Sequence, residues 1–107
     1  MKKYELRFWF EHGGFCIWGM NAAAKDNYGY AIETGKIPIS LQLKSEIDSL
    51  EAEYGTYLNW NDPLDDFPWS KEQKASFISR ANQVYEKLVF ELGDEYEVSN
   101  EIESCVI

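Results

Sequence analysis

The alternation of side chains over residues 3–11 is the feature that most constrains how this chain can fold. Large apolar residues occupy every second position, and mostly charged residues lie between them (Tyr4, Leu6, Phe8, Phe10 against Glu5, Arg7, Trp9, Glu11). A period of two with aromatic enrichment predicts a strand with one buried face. Two glycines follow at 13 and 14, and residues 15–20 form a second aromatic and β-branched run, so the sequence predicts a β-hairpin.

The register of this hairpin depends on the length of its turn. A two-residue turn at Gly13 and Gly14 pairs Phe10 with Ile17, whereas a three-residue turn pairs Phe10 with Cys16. A shift of one residue moves every side chain to the opposite face of the sheet. The two-residue turn is our preferred prediction. Both faces carry aromatic residues, so we expect each face to be covered at least in part.

Three helices are predicted to follow the hairpin. Asn21 precedes three alanines, which are good helix formers, and Ser40 is placed to cap a second helix. That second helix has apolar residues at spacings of four and three (Leu43, Ile47, Leu50, Tyr54, Tyr57). Ser70 and Gln73 match a capping box, and Gly93 ends the third helix. The apolar row of this third helix is the clearest in the chain (Phe77, Ala81, Val84, Leu88, Leu92).

Residues 95–103 alternate again and predict a third strand, with mostly acidic residues on one side (Glu95, Glu97, Ser99, Glu101, Glu103). Like charges on one sheet face repel, so we expect this strand at an edge of the sheet or against a positive partner. The order of elements predicts a single α+β domain over residues 1–107. It is a two-layer fold, in which a small antiparallel sheet of the N-terminal hairpin and the C-terminal strand packs against about three helices.

The charge of the chain is concentrated in its C-terminal part. Acidic residues outnumber basic ones 19 to 10, and the net charge is −9. Residues 1–45 have a balance of +2, and residues 46–107 have a balance of −11. This acidity argues against binding the phosphates of nucleic acid or an anionic membrane surface. No stretch is long and apolar enough for a membrane span and no signal peptide is recognised, so we expect a cytoplasmic protein.

Two acidic patches are candidate partner-binding surfaces. One lies in an aromatic loop, and the other lies on the last strand (Trp60, Asp62, Asp65, Asp66, Trp69; Glu95, Glu97, Glu101, Glu103). Complementary charge speeds association and selects partners, and tryptophan is enriched at binding hot spots. The alternative interpretation is that the acidic residues form a solvated surface that aids solubility, and that the loop tryptophans pack onto the core.

No catalytic or metal-binding motif is present. His12 is the only histidine, which excludes a two-histidine metal site within one chain. His12 and Cys16 are conceivable as the nucleophilic pair of a small hydrolase, although a buried strand cysteine usually behaves as a small hydrophobe. The aspartates at 62, 65 and 66 lack the spacing of a calcium loop, and no glycine loop precedes a helix. We therefore predict no catalytic residue, no metal and no cofactor.

Four segments carry a resemblance to a known family: residues 12–18 (HGGFCIW), 57–63 (YLNWNDP), 68–72 (PWSKE) and 91–98 (ELGDEYEV). They resemble a family of small acidic bacterial proteins, which in size and charge are similar to the immunity proteins of contact-dependent growth inhibition and related polymorphic toxin systems. The resemblance implies a non-catalytic cytoplasmic inhibitor of one cognate toxin domain, often a nuclease. It implies no catalytic residues.

The predicted function is therefore to bind a cationic toxin domain, most plausibly an RNase or DNase, through an acidic surface. A nuclease cleft is basic because it must attract phosphates, and an acidic inhibitor can occupy that cleft with electrostatically steered association. Two other classes stay open: the Cys16–His12 hydrolase, and an adaptor or oligomeric module whose third strand pairs across a two-fold axis. The acidic face of that strand opposes self-association, so we expect a monomer.

Overall fold

A computed structural model describes residues 3–11, 15–55 and 69–105 of the chain. Three strands and four α-helices are present in these ranges, with a short 3₁₀ helix, Thr34–Lys36, before the second α-helix. The α+β class is confirmed, and a fourth short helix joins the three that the sequence predicts. The elements are β1 (Tyr4–Phe8), β2 (Ile17–Gly19), α1 (Ala22–Tyr28), α2 (Leu41–Tyr54), α3 (Lys71–Leu92), β3 (Tyr96–Asn100) and α4 (Ile102–Cys105).

The sheet has the order β2-β1-β3, so the first strand of the chain lies at its centre. β1 is antiparallel to β2, as predicted, but it is parallel to β3, so the prediction of a wholly antiparallel sheet is wrong for the last strand. The cause is the length of α3, which at 22 residues spans about 33 Å. This helix returns the chain to the end of the sheet where β1 begins, and the N–H groups of Lys3 and Tyr4 donate to the Glu95 carbonyl there.

The register of the hairpin differs from both predicted registers. Phe8 lies opposite Ile17, and Arg7 lies opposite Trp18. The observed pairing is shifted by two positions from the pairing predicted with a two-residue turn. A shift of two positions keeps every side chain on its predicted face of the sheet. Residues 12–14, where the turn is predicted, lie outside the described residues.

The core forms where one face of the sheet meets α2 and α3. The ring of Phe10 lies 5.0 Å from that of Phe77 on α3, 5.7 Å from Tyr54 on α2 and 5.2 Å from Phe8. Phe8, Phe10 and Phe77 are fully buried. Aromatic rings bury more apolar area than other side chains and also gain from edge-to-face contact, so this cluster is the main attachment of the helices to the sheet.

The helix boundaries follow the caps that the sequence predicts. The side chains of Asn21, Ser40 and Ser70 each accept a hydrogen bond from the backbone N–H three residues later. Gly93 follows α3 with a φ of 82°, a backbone conformation that favours glycine, and its N–H donates to the Val89 carbonyl. The predicted apolar row of α3 is buried, as is that of α2 within the described residues (Phe77, Ala81, Val84, Leu88, Leu92; Leu43, Ile47, Leu50, Tyr54).

The last strand ends earlier than predicted. It stops at Asn100 instead of continuing to Glu103, and α4 begins at Ile102. The Asn100 side chain accepts a hydrogen bond from the N–H of Ile102, at 3.2 Å, which starts this helical turn. The turn buries Cys105, whose carbonyl accepts a hydrogen bond from the Tyr54 hydroxyl at 2.9 Å. Within the described ranges, none of the helices has the length and apolar character needed to cross a bilayer.

Two phenylalanines on α3 provide a matched test of the core. Phe77 is fully buried, whereas Phe90 is 87% exposed. We expect Phe77→Ala to lower the free energy of unfolding by about 3–5 kcal/mol, because it leaves a cavity among aromatic rings. Phe90→Ala is expected to change it by less than about 0.5 kcal/mol. Urea denaturation followed by circular dichroism measures both, and equal losses for the two variants would contradict this packing.

Candidate interaction surfaces

The C-terminal acidic patch consists of Glu95, Glu97, Glu101 and Glu103, which lie on β3, beside it and on α4. Glu97 lies on β3, which is the outer strand of the sheet, and Glu95 comes immediately before it. Glu101 links β3 to α4, and Glu103 lies on α4. The side chains of Glu95, Glu97 and Glu103 are exposed, and Glu101 is half-buried. The alternation predicted for residues 95–103 therefore holds only as far as Asn100, and Glu103 lies on a helix instead of the strand.

One carboxylate of the patch is already neutralised within the chain. Glu101 Oε2 lies 2.6 Å from Arg7 Nε, and the Arg7 guanidinium also stacks on the Trp9 ring at 4.4 Å. The patch carboxylates at 95, 97 and 103 form no ion pair with any described residue. Three exposed negative charges therefore stay available to a partner, while Glu101 fixes the position of Arg7.

Three basic residues of the two long helices are paired with acids of α2. Lys87 Nζ lies 2.9 Å from Glu46, and Arg80 forms a bidentate contact with Glu53. A third pair joins the Lys44 ammonium to Asp48 at 2.7 Å. These cations are therefore held on α2 and α3 and do not offset the C-terminal acidic patch.

The predicted loop patch lies largely outside the described residues, which resume at Trp69. This applies to Trp60, Asp62, Asp65 and Asp66. The Trp69 side chain is only 5% exposed, and its ring lies 5.1 Å from Phe77 and 6.3 Å from Tyr54. Trp69 therefore belongs to the core of the free protein, which was the alternative to its interpretation as an exposed anchor.

Cys16 is fully buried, and its environment does not favour a nucleophile. Its thiol donates a hydrogen bond to Glu51 Oε1 at 3.7 Å. Burial, followed by the adjacent Glu51 carboxylate, raises the pKa of this thiol well above its usual 9.0. Nucleophilic attack needs the thiolate, which this environment disfavours. His12, the proposed partner in a hydrolase, lies outside the described residues.

Glu51 is a half-buried carboxylate that the sequence does not distinguish from other polar positions of α2. It borders a cavity of about 320 Å³, which is also lined by Phe15, Glu33, Lys44 and Asp48. Burial and then the nearby negative charge of Asp48 raise the pKa of Glu51 from 4.5 to about 7, against the smaller opposing effects of the Cys16 thiol and Lys44. No group of three or more potential metal ligands occurs among the described residues.

An aromatic platform occupies the outer side of the hairpin, and we use that name for the rings of Trp9, Phe15, Trp18 and Tyr30. The Trp18 ring lies at the centre, 6.3 Å from Trp9, 6.2 Å from Phe15 and 5.2 Å from Tyr30. The Trp18 indole N–H donates to the Trp9 carbonyl at 2.8 Å. Trp18 is thus covered by its neighbours, as expected for a hairpin with aromatics on both faces, while Tyr30 remains 55% exposed.

The pH dependence of stability tests the environment of Glu51. The pKa of the Glu51 carboxyl is near 4.5 in the unfolded chain and about 7 in the folded protein. The free energy of unfolding therefore falls as pH rises from 4.5 to 7, and it stays at the lower value above pH 7. Glutamine has no carboxyl to ionise, so Glu51→Gln removes this loss. We expect the free energy of unfolding of the variant to rise relative to that of the wild type between pH 5 and 8, by about 1 kcal/mol after allowance for partial exposure.

Urea denaturation at pH 5, 6, 7 and 8 measures this gain. The matched control is Glu86→Gln, which changes an exposed carboxylate on α3 and is expected to alter stability little. Parallel pH profiles for wild type and Glu51→Gln would contradict the burial of a charge at this position.

Comparison with known proteins agrees with the resemblance seen in the sequence. The family model described as Serratia CdiI immunity protein-like matches residues 4–101, which include the three described strands and α1, α2 and α3. No curated protein matches the chain. A match over nearly the whole chain, on a fold that presents unpaired carboxylates at its surface, shows that this protein belongs to the Serratia CdiI-like family of immunity proteins.

Proposed function

We propose that this protein binds and neutralises a cognate toxin domain with a basic surface, and that the toxin is a nuclease. The observation that carries the proposal is the family match, because immunity proteins act on toxins. The charge supports the nature of the partner: the net charge is −9, and three carboxylates of the C-terminal acidic patch have no ion pair among the described residues.

The electrostatics favour a nuclease over a toxin of neutral surface. A nuclease cleft carries lysine and arginine that bind phosphates. Electrostatic attraction makes the association of an acidic protein with such a cleft faster than unsteered diffusion would allow. The bound protein then competes with the nucleic acid for the same cationic side chains. Fast capture is useful to an inhibitor because free toxin acts catalytically. On this proposal the contact residues are those of the C-terminal acidic patch together with Trp60, Asp62, Asp65 and Asp66.

We propose further that inhibition is by occupancy and involves no reaction catalysed by this chain. The buried Cys16 thiol, held as a donor to Glu51, supports this view over the Cys16–His12 hydrolase. The inhibitor would need no metal or cofactor, and it would act in the cytoplasm, where a nuclease toxin meets its substrate.

The alternative of an oligomeric module draws on the position of β3 at the edge of the sheet, since an open edge can pair with another strand. Two features oppose it. The Tyr85 hydroxyl donates to the Val98 carbonyl at 2.7 Å, which satisfies one backbone acceptor of β3 from within the chain. Exposed glutamates would also meet their copies across a two-fold axis. We therefore propose a monomer, and sedimentation at high concentration tests it.

Charge reversal tests the proposed contact. We expect the double variant Glu95→Lys, Glu103→Lys to slow association with the cognate toxin domain, identified by pull-down from the native host, by about tenfold at low salt and to flatten the salt dependence. Stopped-flow association at 50 and 300 mM salt measures both effects.

The control is Glu72→Lys, Glu86→Lys, which changes the net charge equally on the exposed side of α3. If both double variants slow association equally, only the net charge matters. If Glu95→Lys, Glu103→Lys does not change the association rate, the C-terminal acidic patch is not part of the interface. Failure of the wild-type protein to bind the toxin domain would overturn the proposed function.

A further inference from the structure

We propose that the toxin docks on the open face of the sheet, with a basic side chain of the toxin between Glu5 and Glu97 and an apolar part of its surface on Tyr30, Met20 and Trp9. The proposal rests on the proposed function and specifies the surface that performs it. Sequence reasoning placed the apolar anchor in the loop around Trp60 instead.

The pairing of the strands brings the two glutamates together. In the parallel ladder between β1 and β3, Glu5 lies beside Glu97, and Arg7 lies beside Ser99. Directly paired residues of neighbouring strands point to the same side of a sheet. Glu5, Glu97 and Ser99 are exposed, whereas the alternate residues of both strands are buried except Asn100 at the end of β3 (Tyr4, Leu6, Phe8, Tyr96, Val98). Glu5 and Glu97 therefore share the open face, about one strand spacing apart.

The helices of the described ranges pack on the opposite face. The Phe8 ring stacks on Tyr85 of α3 at 6.2 Å, and the Tyr4 ring lies 5.4 Å from Tyr28 of α1. Phe10 meets Phe77 on the same side. The exposure of Glu5, Glu97 and Ser99 shows that no described helix covers their side of the sheet.

The open face has the composition of a protein-binding surface. Trp18 lies opposite Arg7 on β1 and thus on this face, and it forms the centre of the aromatic platform. Tyr30 and Met20, at its margin, are 55% and 45% exposed. Tryptophan, tyrosine, methionine and arginine are the residues enriched at interfaces, and rigid aromatic anchors provide much of the affinity there.

The two glutamates of this face favour a basic partner, while Lys25 Nζ lies at its margin, 5.7 Å from the Tyr30 ring. Glu5 and Glu97 are like charges on adjacent strands, an arrangement that destabilises a sheet, and neither has an ion pair among the described residues. An arginine or lysine of the partner would remove that repulsion. The same face already contains an arginine that is bound by both an acid and an aromatic ring, because Arg7 forms an ion pair with Glu101 and stacks on Trp9.

The two most exposed apolar residues of the described ranges lie on α3 and α2, which pack on the opposite face of the sheet. Phe90 and Leu41 are 87% and 84% exposed. The acid nearest to Phe90 in sequence, Glu91, already accepts hydrogen bonds from the N–H and hydroxyl of Ser40. Phe90 therefore serves as the matched control for an aromatic anchor.

Single variants on the two surfaces decide the proposal. Isothermal titration calorimetry with the toxin domain that the pull-down identifies measures the dissociation constant for wild type, Tyr30→Ala, Glu5→Gln and Phe90→Ala. We expect Tyr30→Ala and Glu5→Gln each to raise the dissociation constant about tenfold or more, and Phe90→Ala to leave it within about twofold. Urea midpoints of the four free proteins establish that each variant is folded.

The outcomes separate this inference from the function on which it rests. Wild-type binding that is retained in Tyr30→Ala and Glu5→Gln would overturn the open face as the docking surface and leave the proposed function intact, especially where Glu95→Lys, Glu103→Lys still slows association. A tenfold loss in Phe90→Ala alone would place the interface on α3 and would also overturn it. Absence of wild-type binding would overturn both.

Discussion

The contact of Phe10 with Phe77 and Tyr54 is the interaction on which the remaining structure depends. A sheet of three short strands is not stable in isolation and needs one face buried against helices. The aromatic cluster provides that burial, and it attaches α2 and α3 to the same face. As a consequence Glu5, Glu97 and Ser99 on the other face stay exposed and are not covered by a helix of the described residues.

Features that depend on neighbours in sequence were predicted well. The apolar row of α3 and its serine cap require only helical spacing and one side-chain hydrogen bond, and both are present. The direction of β3 and the register of the hairpin were predicted wrongly because each depends on distant geometry. The parallel pairing follows from where α3 ends in space, and alternation within β3 is the same for either direction.

The candidate surfaces show the same division. Composition identifies the acidic surplus of the C-terminal half, but it does not identify which carboxylates are neutralised. Arg7, which is distant in sequence, forms an ion pair with Glu101 and neutralises its charge. Strand pairing, which the sequence did not predict correctly, brings Glu5 beside Glu97. Trp69 comes directly after the acidic loop in the sequence, but its side chain is buried in the core. Its position in the sequence alone did not distinguish these two roles.

The central position of β1 has a consequence for the synthesis of the protein. The Phe10 N–H donates to the Cys105 sulfur across 95 residues of sequence, and β1 also requires β3 as its second neighbour. A nascent chain therefore holds its first strand half-paired until the last strand has left the ribosome. A product truncated before β3 would therefore leave one edge of β1 without its partner strand.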